Sequence, residues 1–353
     1  MSFTALESTD FVISADSITA PAWSSNQPTL TQFFTASTPT SSVITSDAFY
    51  VNTYQTIATS NGAAVQFSIA YGNALGSGSK YYNPLVIGVS PSLTTYKQYK
   101  TLIYGTAITG SEGFNFGGLN TNSRDAWIIN VDRNRYKESL FPGTFNLKLS
   151  GSAVAPVHLT DNSNDTSVIS YLDCGRVFTI VSGSDGRAVG TAASGSSING
   201  QTISGSYGLF LPDIGTIILN PRALALPFAS GGIGLVADET ANPSTPYSSV
   251  SNTLLFNALN SGSSFQLNSQ ETVSSNYVFV RIKNAEYNYT SNPTFISGSG
   301  DIVYSTLINS PQTYVTTVGL YNNSSELIAV GKLSRPLVKD FTKEALVRVK
   351  LDW

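Results

Sequence analysis

Two stretches near the end of the chain give the clearest indication of the fold: Tyr314-Val-Thr-Thr-Val-Gly-Leu-Tyr321 and Glu326-Leu-Ile-Ala-Val-Gly-Lys-Leu333. Both are rich in β-branched, aromatic and other apolar residues, a composition that favours strands over helices. The residues between them, Asn322-Asn-Ser-Ser325, are of the types that form tight turns. The sequence therefore predicts a β-hairpin, and its apolar residues are numerous enough to cover both faces of a hairpin buried in a larger assembly.

The same pattern continues outward from this hairpin along most of the chain. Strands are predicted wherever apolar residues alternate with polar ones or form a short continuous run. They fall at residues 65–69, 85–89, 127–131, 145–149, 207–211, 214–219, 265–267, 277–283 and 346–351. The Pro212-Asp213 turn joins two of them into a β-ribbon. Short helices are predicted only around 92–104 and 251–260.

The composition supports a β protein throughout. Only 12% of the 353 residues are charged, whereas long helices use charge pairs on their wet faces. The chain has 18 Tyr, 18 Phe and 29 Gly, but a single Met and a single His. We therefore predict a mainly β, multi-domain fold of β-sandwich or Greek-key-like type, with a Gly/Ser-rich β insertion and few short helices.

Changes in amino-acid composition along the chain predict four segments. Residues 1–48, rich in Ser, Thr and Pro, are expected to form an extended N-terminal arm that lies on a neighbour, or else a loosely ordered tail. Residues 49–150 form a β-rich domain, and residues 151–250 form the Gly/Ser-rich β insertion. Residues 251–353 form a C-terminal β-sandwich-like domain.

Charge and hydropathy exclude several classes of partner. The net charge of −3 and the mixing of acidic with basic residues argue against nucleic-acid binding. No apolar run reaches the roughly 18 residues of a membrane-spanning helix, and the N-terminus lacks the pattern of a signal peptide. We expect a protein that is made in the host cytoplasm, stays soluble and has no membrane partner.

The residues that usually carry chemistry are sparse. His158 and Cys174 are the only residues of their types. His158, on a predicted strand, is therefore the only imidazole that could serve as the base of a serine triad. One histidine and one cysteine are too few to form a zinc site. We expect a satisfied structural histidine and a buried structural thiol. The acidic run 161–165 lacks the glycine and the final carboxylate of a calcium loop, so a solvated turn is expected. A glycosidase pair at Asp238 and Glu239 has no support beyond its proximity in sequence. No enzyme activity and no cofactor are predicted.

Three C-terminal stretches carry a family resemblance. They are Asn284–Phe295, Pro311–Asn323 and Glu326–Leu337, the last continued by Lys343–Asp352. Together they resemble the C-terminal portion of virion structural proteins from large contractile-tailed bacteriophages, including cyanobacterial phages. The ribbon at 207–219 and the stretch 127–137 resemble upstream parts of the same family. The resemblance covers roughly the last 150 residues and little before residue 120.

That resemblance implies a structural role in the virion, in a baseplate wedge or at the baseplate periphery. Partners would be other tail and baseplate proteins and further copies of this chain in a symmetric assembly. Aromatic and arginine side chains dominate protein interfaces. The expected assembly contacts are therefore Tyr287, Tyr289, Phe295, Tyr314, Tyr321 and Arg335.

Other classes of function stay open on the sequence alone. One is a tail-fibre or receptor-binding adhesin or a carbohydrate-binding module, whose exposed Tyr and Trp would stack on sugars. Another is a structural protein of the neck or the capsid. An enzyme such as a glycan depolymerase is the least favoured, because no active site is visible.

Overall fold

The computed structural model describes residues 5–24, 34–35, 50–56, 60–76, 78, 92–105, 113–116, 123–151, 156–189, 194–198, 201–204, 206–237, 250–290 and 292–352. Within these residues the protein is mainly β, as the sequence predicts. The chain divides into two compact units. The smaller unit contains residues 1–17 and 272–353, and the larger unit contains residues 18–271.

The strands, in chain order, are β1 Phe11–Pro21, β2 Phe34–Thr35, β3 Val51–Tyr54, β4 Val65–Asn73, β5 Asp125–Val131, β6 Ser139–Leu140, β7 Asn146–Leu149, β8 Val157–Asp161, β9 Ser170–Leu172, β10 Gly175–Ser184, β11 Arg187–Ala188, β12 Ser194–Ile198, β13 Gln201–Ser204, β14 Gly208–Leu211, β15 Thr216–Leu219, β16 Ser264–Gln266, β17 Asn268–Ile282, β18 Thr313–Tyr321, β19 Leu327–Lys339 and β20 Ala345–Asp352. The α-helices are α1 Ser92–Tyr104, α2 Pro221–Ala225, α3 Val250–Gly262 and α4 Ser305–Asn309. The two helices predicted from sequence are thus confirmed as α1 and α3.

One large sheet dominates the larger unit. Its strands follow the order β16-β7-β8-β10-β14-β15-β5-β4-β3-β2, with β9 and β11 attached to β10. The ribbon predicted at 207–219 lies at its centre as the antiparallel pair β14 and β15, and Leu209 faces Ile218 across the pair. Between these strands Gly215 takes the left-handed conformation at φ 66°, where a Cβ would press into the ring of Tyr136. The predicted strand at 85–89 lies outside the described residues.

The central strands are buried on both faces. In β5, Trp127 and Ile129 face one hydrophobic cluster, while Ile128 faces a second cluster on the opposite side. Helix α3 covers the first face, and α1 contributes Tyr96 and Ile103 to the second. Burial on both faces explains why these strands are continuous apolar runs in the sequence rather than alternating ones.

Aromatic packing brings together strands from opposite ends of the large sheet. The Phe67 ring on β4 lies 5.3 Å from the Phe265 ring on β16. The ring centroid of Trp23 lies 5.8 Å from that of Phe67 and 4.8 Å from that of Phe265. The indole Nε1 of Trp23 donates a hydrogen bond of 2.8 Å to the Phe265 carbonyl. The sheet therefore curls around one shared core, as in a sandwich.

The smaller unit has far less interior. Strands β1, β17 and β20 pair in that order, and β18 pairs with β19 as a separate hairpin. Its buried apolar side chains among the described residues are Val278, Ile282, Val318, Ala345 and Val347. Most of the exposed large apolar side chains of the described chain belong to this unit.

The observed units differ from the four sequence segments. Strands from residues 49–150, 151–250 and 251–353 pair within the one large sheet. In the segment expected to be an arm, β1 pairs with β17 and Trp23 is buried in the protein's own core. The physical reason is that strand pairing is non-local, so changes of composition along the chain do not mark the edges of a sheet. No helix within the described ranges is long and apolar enough to cross a membrane.

Candidate functional site

The predicted C-terminal hairpin is present, and a polar turn closes it. Strands β18 and β19 are antiparallel, with Tyr321 opposite Leu327. The Asn322 side-chain oxygen accepts hydrogen bonds from the backbone N–H groups of Ser324 and Glu326, at 3.0 and 2.8 Å. Ser325 takes a positive φ of 64°. These bonds explain why the Asn-Asn-Ser-Ser sequence turns the chain so tightly.

The hairpin has an inner face that packs within its own unit. Residues directly opposite in an antiparallel pair point to the same side, so Val318 and its partner Gly331 share a face. A Cβ built on Gly331 would lie 3.8 Å from a methyl group of Val349 on β20. Only 8% of Val318 is exposed. This face therefore packs on β20 and is part of the small core.

The opposite side, here called the outer face, consists of Gly319, Tyr321, Leu327 and Val330. The cross-strand pairs Tyr321–Leu327 and Gly319–Val330 place all four residues on it. A Cβ added to Gly319 would meet a ring carbon of Tyr321 at 3.0 Å and Leu327 Cδ1 at 3.3 Å, so both side chains lie across the glycine. Exposure is 39% for Tyr321, 53% for Leu327 and 57% for Val330. The outer face is thus an ordered apolar surface that the described residues leave open.

An irregularity divides the hairpin into two halves. Val315 pairs with Leu337 and Thr317 pairs with Lys332, so one residue of β18 faces four residues of β19. Those four residues include Arg335 and Pro336, both exposed. Proline in a strand is tolerated at such bulges because it has no N–H to donate. The predicted contact residue Arg335 therefore projects from the bulge rather than from a regular strand.

An aromatic loop, residues 284–295, carries three of the predicted contact residues. Tyr287 adopts a positive φ of 54° and is 48% exposed. The Tyr289 hydroxyl donates a hydrogen bond of 2.9 Å to the Gly300 carbonyl, while its side chain remains 58% exposed. The Phe295 ring lies 4.9 Å from that of Tyr304. The loop thus presents aromatic rings that its own local contacts hold in place.

A buried lysine fastens this loop to the base of the hairpin. Lys339, the last residue of β19, is fully buried. Its Nζ donates hydrogen bonds to the Asn284 carbonyl at 2.9 Å and to Asn288 Oδ1. This role could not be predicted from the sequence, because lysine is ordinarily a surface residue. Its only local signal is its place at the end of an apolar strand.

All six predicted contact residues are exposed, but they are not one cluster. Tyr321 joins the outer face, and Tyr314 lies opposite Val338 at the hairpin base. Tyr287, Tyr289 and Phe295 belong to the aromatic loop, and Arg335 to the bulge. Leu327 and Val330 were expected only as part of the apolar cover of a buried hairpin and not among the six contact residues, because exposed aliphatic side chains cannot be told from core ones by composition alone.

The residues considered for catalysis or metal binding have structural surroundings. His158 is half-buried on β8; burial and the nearby Lys148 charge lower its pKa. Its Nε2 has no hydrogen-bond partner within the described ranges, so the expectation of a satisfied histidine is wrong at that atom. Cys174 is only partly buried, against the second hydrophobic cluster, and burial raises the pKa of its thiol. A thiol with a raised pKa is a poor nucleophile.

The acidic run at 161–165 forms what we call a clamp, because its carboxylates bind the backbone N–H groups of nearby segments. The expectation of a solvated turn is wrong for Asp161. This residue is fully buried, and its carboxylate accepts hydrogen bonds from the backbone N–H groups of Gly143 and Ser163. Asp165 accepts one from the N–H of Ala188 at 2.6 Å. The acids thus satisfy backbone donors of neighbouring turns. Asp238 and Glu239 lie outside the described residues.

The larger unit also contains a cleft. It has a volume of about 410 Å³ and lies between α1 and the sheet. Tyr50, Gln98, Tyr99 and Asn130 are among its lining residues. Among the described residues no group of three or more His, Cys, Asp or Glu side chains could hold a metal ion.

No protein-family model, curated protein or solved structure matches this chain. Its function is therefore inferred from the chemistry of its own surfaces.

Proposed function

We propose that this chain is a structural component of a phage virion, a baseplate wedge or peripheral protein of a contractile tail that acts through protein–protein contacts. Its partners are other tail and baseplate proteins and further copies of itself. The proposal assigns no catalysis and no cofactor to the chain. The observation that carries the assembly role is the outer face of the hairpin.

The outer face is unlike the surface of a self-contained domain. Isolated exposed apolar residues are common on monomers, whereas contiguous ordered ones mark interaction sites. Tyr321, Leu327 and Val330 are contiguous, and the pairing of two strands fixes their positions. Their burial by a partner would contribute about 25 cal/mol per Å² of apolar area removed from water.

The weak interior of the smaller unit supports the same conclusion. The five buried apolar side chains among its described residues provide little core for a unit that contains a long hairpin. Small units of this kind usually gain stability from a disulfide, a metal or association with another protein. The single cysteine excludes an intrachain disulfide, so association is the route that the observations favour.

The virion assignment rests on the C-terminal resemblance and is tested by locating the protein. Antibodies raised against the purified chain would be applied to intact, purified phage particles and seen by electron microscopy. Label at the distal end of the tail is the expected result. Label at the neck or head would move the protein within the structural class, and particles free of the protein would contradict the virion role.

A matched pair of variants tests the outer face itself. Val330→Thr changes one methyl group to a hydroxyl on the outer face, and Val303→Thr makes the same change at a site of similar exposure, 61%, in the same unit. The amount of each variant incorporated per particle would be measured by quantitative mass spectrometry. We expect lower incorporation for Val330→Thr only. Equal incorporation of both variants would count against the outer face as the contact.

The cleft supports a second candidate function, a carbohydrate-binding module. Tyrosine rings can stack on sugar rings, while Gln98 and Asn130 offer amide hydrogen bonds to hydroxyl groups. A glycan array with the purified chain tests this function, with Tyr99→Ala as the site variant. Saturable binding that Tyr99→Ala abolishes would favour it over assembly as the role of the larger unit.

A further inference from the structure

Strand β18 lies at the edge of its sheet and lacks charged residues and proline. It spans nine residues, Thr313–Tyr321, and none of them is charged or is proline. Its strand partner is β19, and no second strand pairs with it within the described part of the chain. Edge strands present a row of backbone N–H and C=O groups, and natural proteins protect them with charges, prolines or short lengths.

The other edge of the same hairpin has that protection. Strand β19 carries Lys332, Arg335 and Pro336, all of them exposed. Lysine and proline are the residues most often used to block strand addition. The two edges of one hairpin therefore differ in kind, and only β18 is open to pairing.

We propose that β18 is a self-pairing edge, through which two copies of this chain join by antiparallel strand addition about a two-fold axis. The inference rests on the proposed assembly function and names one of its partners. A second copy is the occupant that the composition of β18 favours, because an uncharged strand meets no like-charge repulsion when it faces itself. Two-fold pairing is also the commonest way in which identical chains associate.

The geometry of such a pair places Thr317 at its centre. Thr317 is the middle residue of the nine-residue strand, so a two-fold axis at the centre of the strand, which pairs the greatest number of residues, sets it opposite or next to Thr317 of the second copy. Thr317 is exposed, and within its own hairpin it faces Lys332. A negative charge at position 317 would therefore meet a cation inside one copy and another negative charge across the axis.

The variant Thr317→Glu uses this difference. Inside the hairpin the new carboxylate faces Lys332, an opposite-charge pair that favours the fold. Between copies the two glutamates repel each other. Sedimentation equilibrium of the full chain should show a dimer whose dissociation constant rises at least about tenfold in Thr317→Glu. The control Ser334→Glu adds the same charge to the exposed part of β19 and should leave the constant unchanged.

Hydrogen exchange provides a second measurement that does not depend on a variant. Amides of β18 that point away from β19 should exchange more slowly as the protein concentration rises, whereas amides of the 322–325 turn should not change. A chain that is monomeric at every accessible concentration would overturn the inference. So would a dimer that Thr317→Glu and Ser334→Glu weaken equally, or a dimer without concentration-dependent protection in β18.

The two proposals fail separately. A monomeric chain that is nevertheless incorporated into particles overturns the β18 pairing and leaves the virion role standing. A chain that dimerises through β18 but is missing from particles overturns the virion role and leaves the pairing standing.

Discussion

Replacing Asp161 with alanine should destabilise the larger unit by about 2–4 kcal/mol. The carboxylate is fully buried at the end of β8 and accepts hydrogen bonds from the Gly143 N–H at 2.8 Å and the Ser163 N–H at 2.9 Å. Each such bond to a charged group contributes about 1.5–3 kcal/mol net. Part of that gain is offset by the cost of burying the carboxylate, so the sum lies below two full bonds.

Three variants separate the contribution of the buried charge to stability from that of the hydrogen bonds. Asp161→Asn retains an oxygen acceptor without the charge and should cost less than half as much as Asp161→Ala. Asp165→Ala removes a neighbouring carboxylate that is exposed, so its single bond to the Ala188 N–H should be worth about 1 kcal/mol or less. Urea denaturation followed by circular dichroism would give the free energy of unfolding of each variant.

The pH dependence has a definite sign. Burial raises the pKa of Asp161 above its ordinary value of 3.8, against the effect of the hydrogen bonds from Ser163 and Gly143. Because the pKa is higher in the folded state, the protonated Asp161 carboxyl contributes to the free energy of unfolding. This contribution is complete below the unfolded-state pKa and is lost as the pH rises through the folded-state pKa. From pH 3.8 upward the wild type should therefore lose stability relative to Asp161→Asn.

The same experiments distinguish a clamp from a calcium site. Calcium bound only by the folded state would raise the free energy of unfolding with increasing ion concentration. We expect calcium and EDTA to leave the melting temperature of the wild type unchanged. A calcium-dependent rise that Asp161→Ala removes, or a cost for Asp161→Ala below about 0.5 kcal/mol, the usual scatter of surface substitutions, would refute the clamp.

Three further predictions follow from the packing. Burial raises the pKa of Tyr96 to about 12, so its contribution to stability is complete below pH 10 and is lost as the pH rises through 12; Tyr96→Phe should flatten that alkaline loss in urea titrations. Trp23→Phe keeps a ring but loses the hydrogen bond to the Phe265 carbonyl and should cost about 1–3 kcal/mol, whereas Trp23→Ala should cost about 3–5 kcal/mol; a cost near zero for Trp23→Phe in urea denaturation would contradict the role given to the indole N–H. Lys339→Met keeps an apolar stem but removes both hydrogen bonds to the aromatic loop, so amides at 284–288 should exchange faster with deuterium while those of the 322–325 turn do not change.

Much of the secondary structure could be predicted because it depends on neighbours in sequence. Apolar runs fixed the central strands, and the polar 322–325 turn fixed the hairpin. A turn residue such as Asn322 satisfies backbone groups only two and four positions away, so its effect is visible locally. The helices α1 and α3 were predicted for the same reason.

The candidate site was only partly predictable. The aromatic and arginine contact residues were chosen by type, and all six are exposed. Leu327 and Val330 were expected to help cover a hairpin buried in an assembly, but their exposure depends on which face β20 covers. The burial of Lys339 and Asp161 likewise depends on partners distant in the chain, Asn284 for the lysine and Gly143 for the carboxylate.

The amino-acid sequence was enough to predict that this protein is mainly β, where its central strands and tight turns lie, and that it carries little charge. The order of strands in the large sheet, the division into a well-filled unit and a sparsely filled one, and the open outer face and edge of the hairpin became visible only in the folded chain. The two sets of features differ in the sequence distance over which their causes act. Strand propensity and turn chemistry act over a few residues, whereas pairing and burial are set by contacts between residues far apart in the chain.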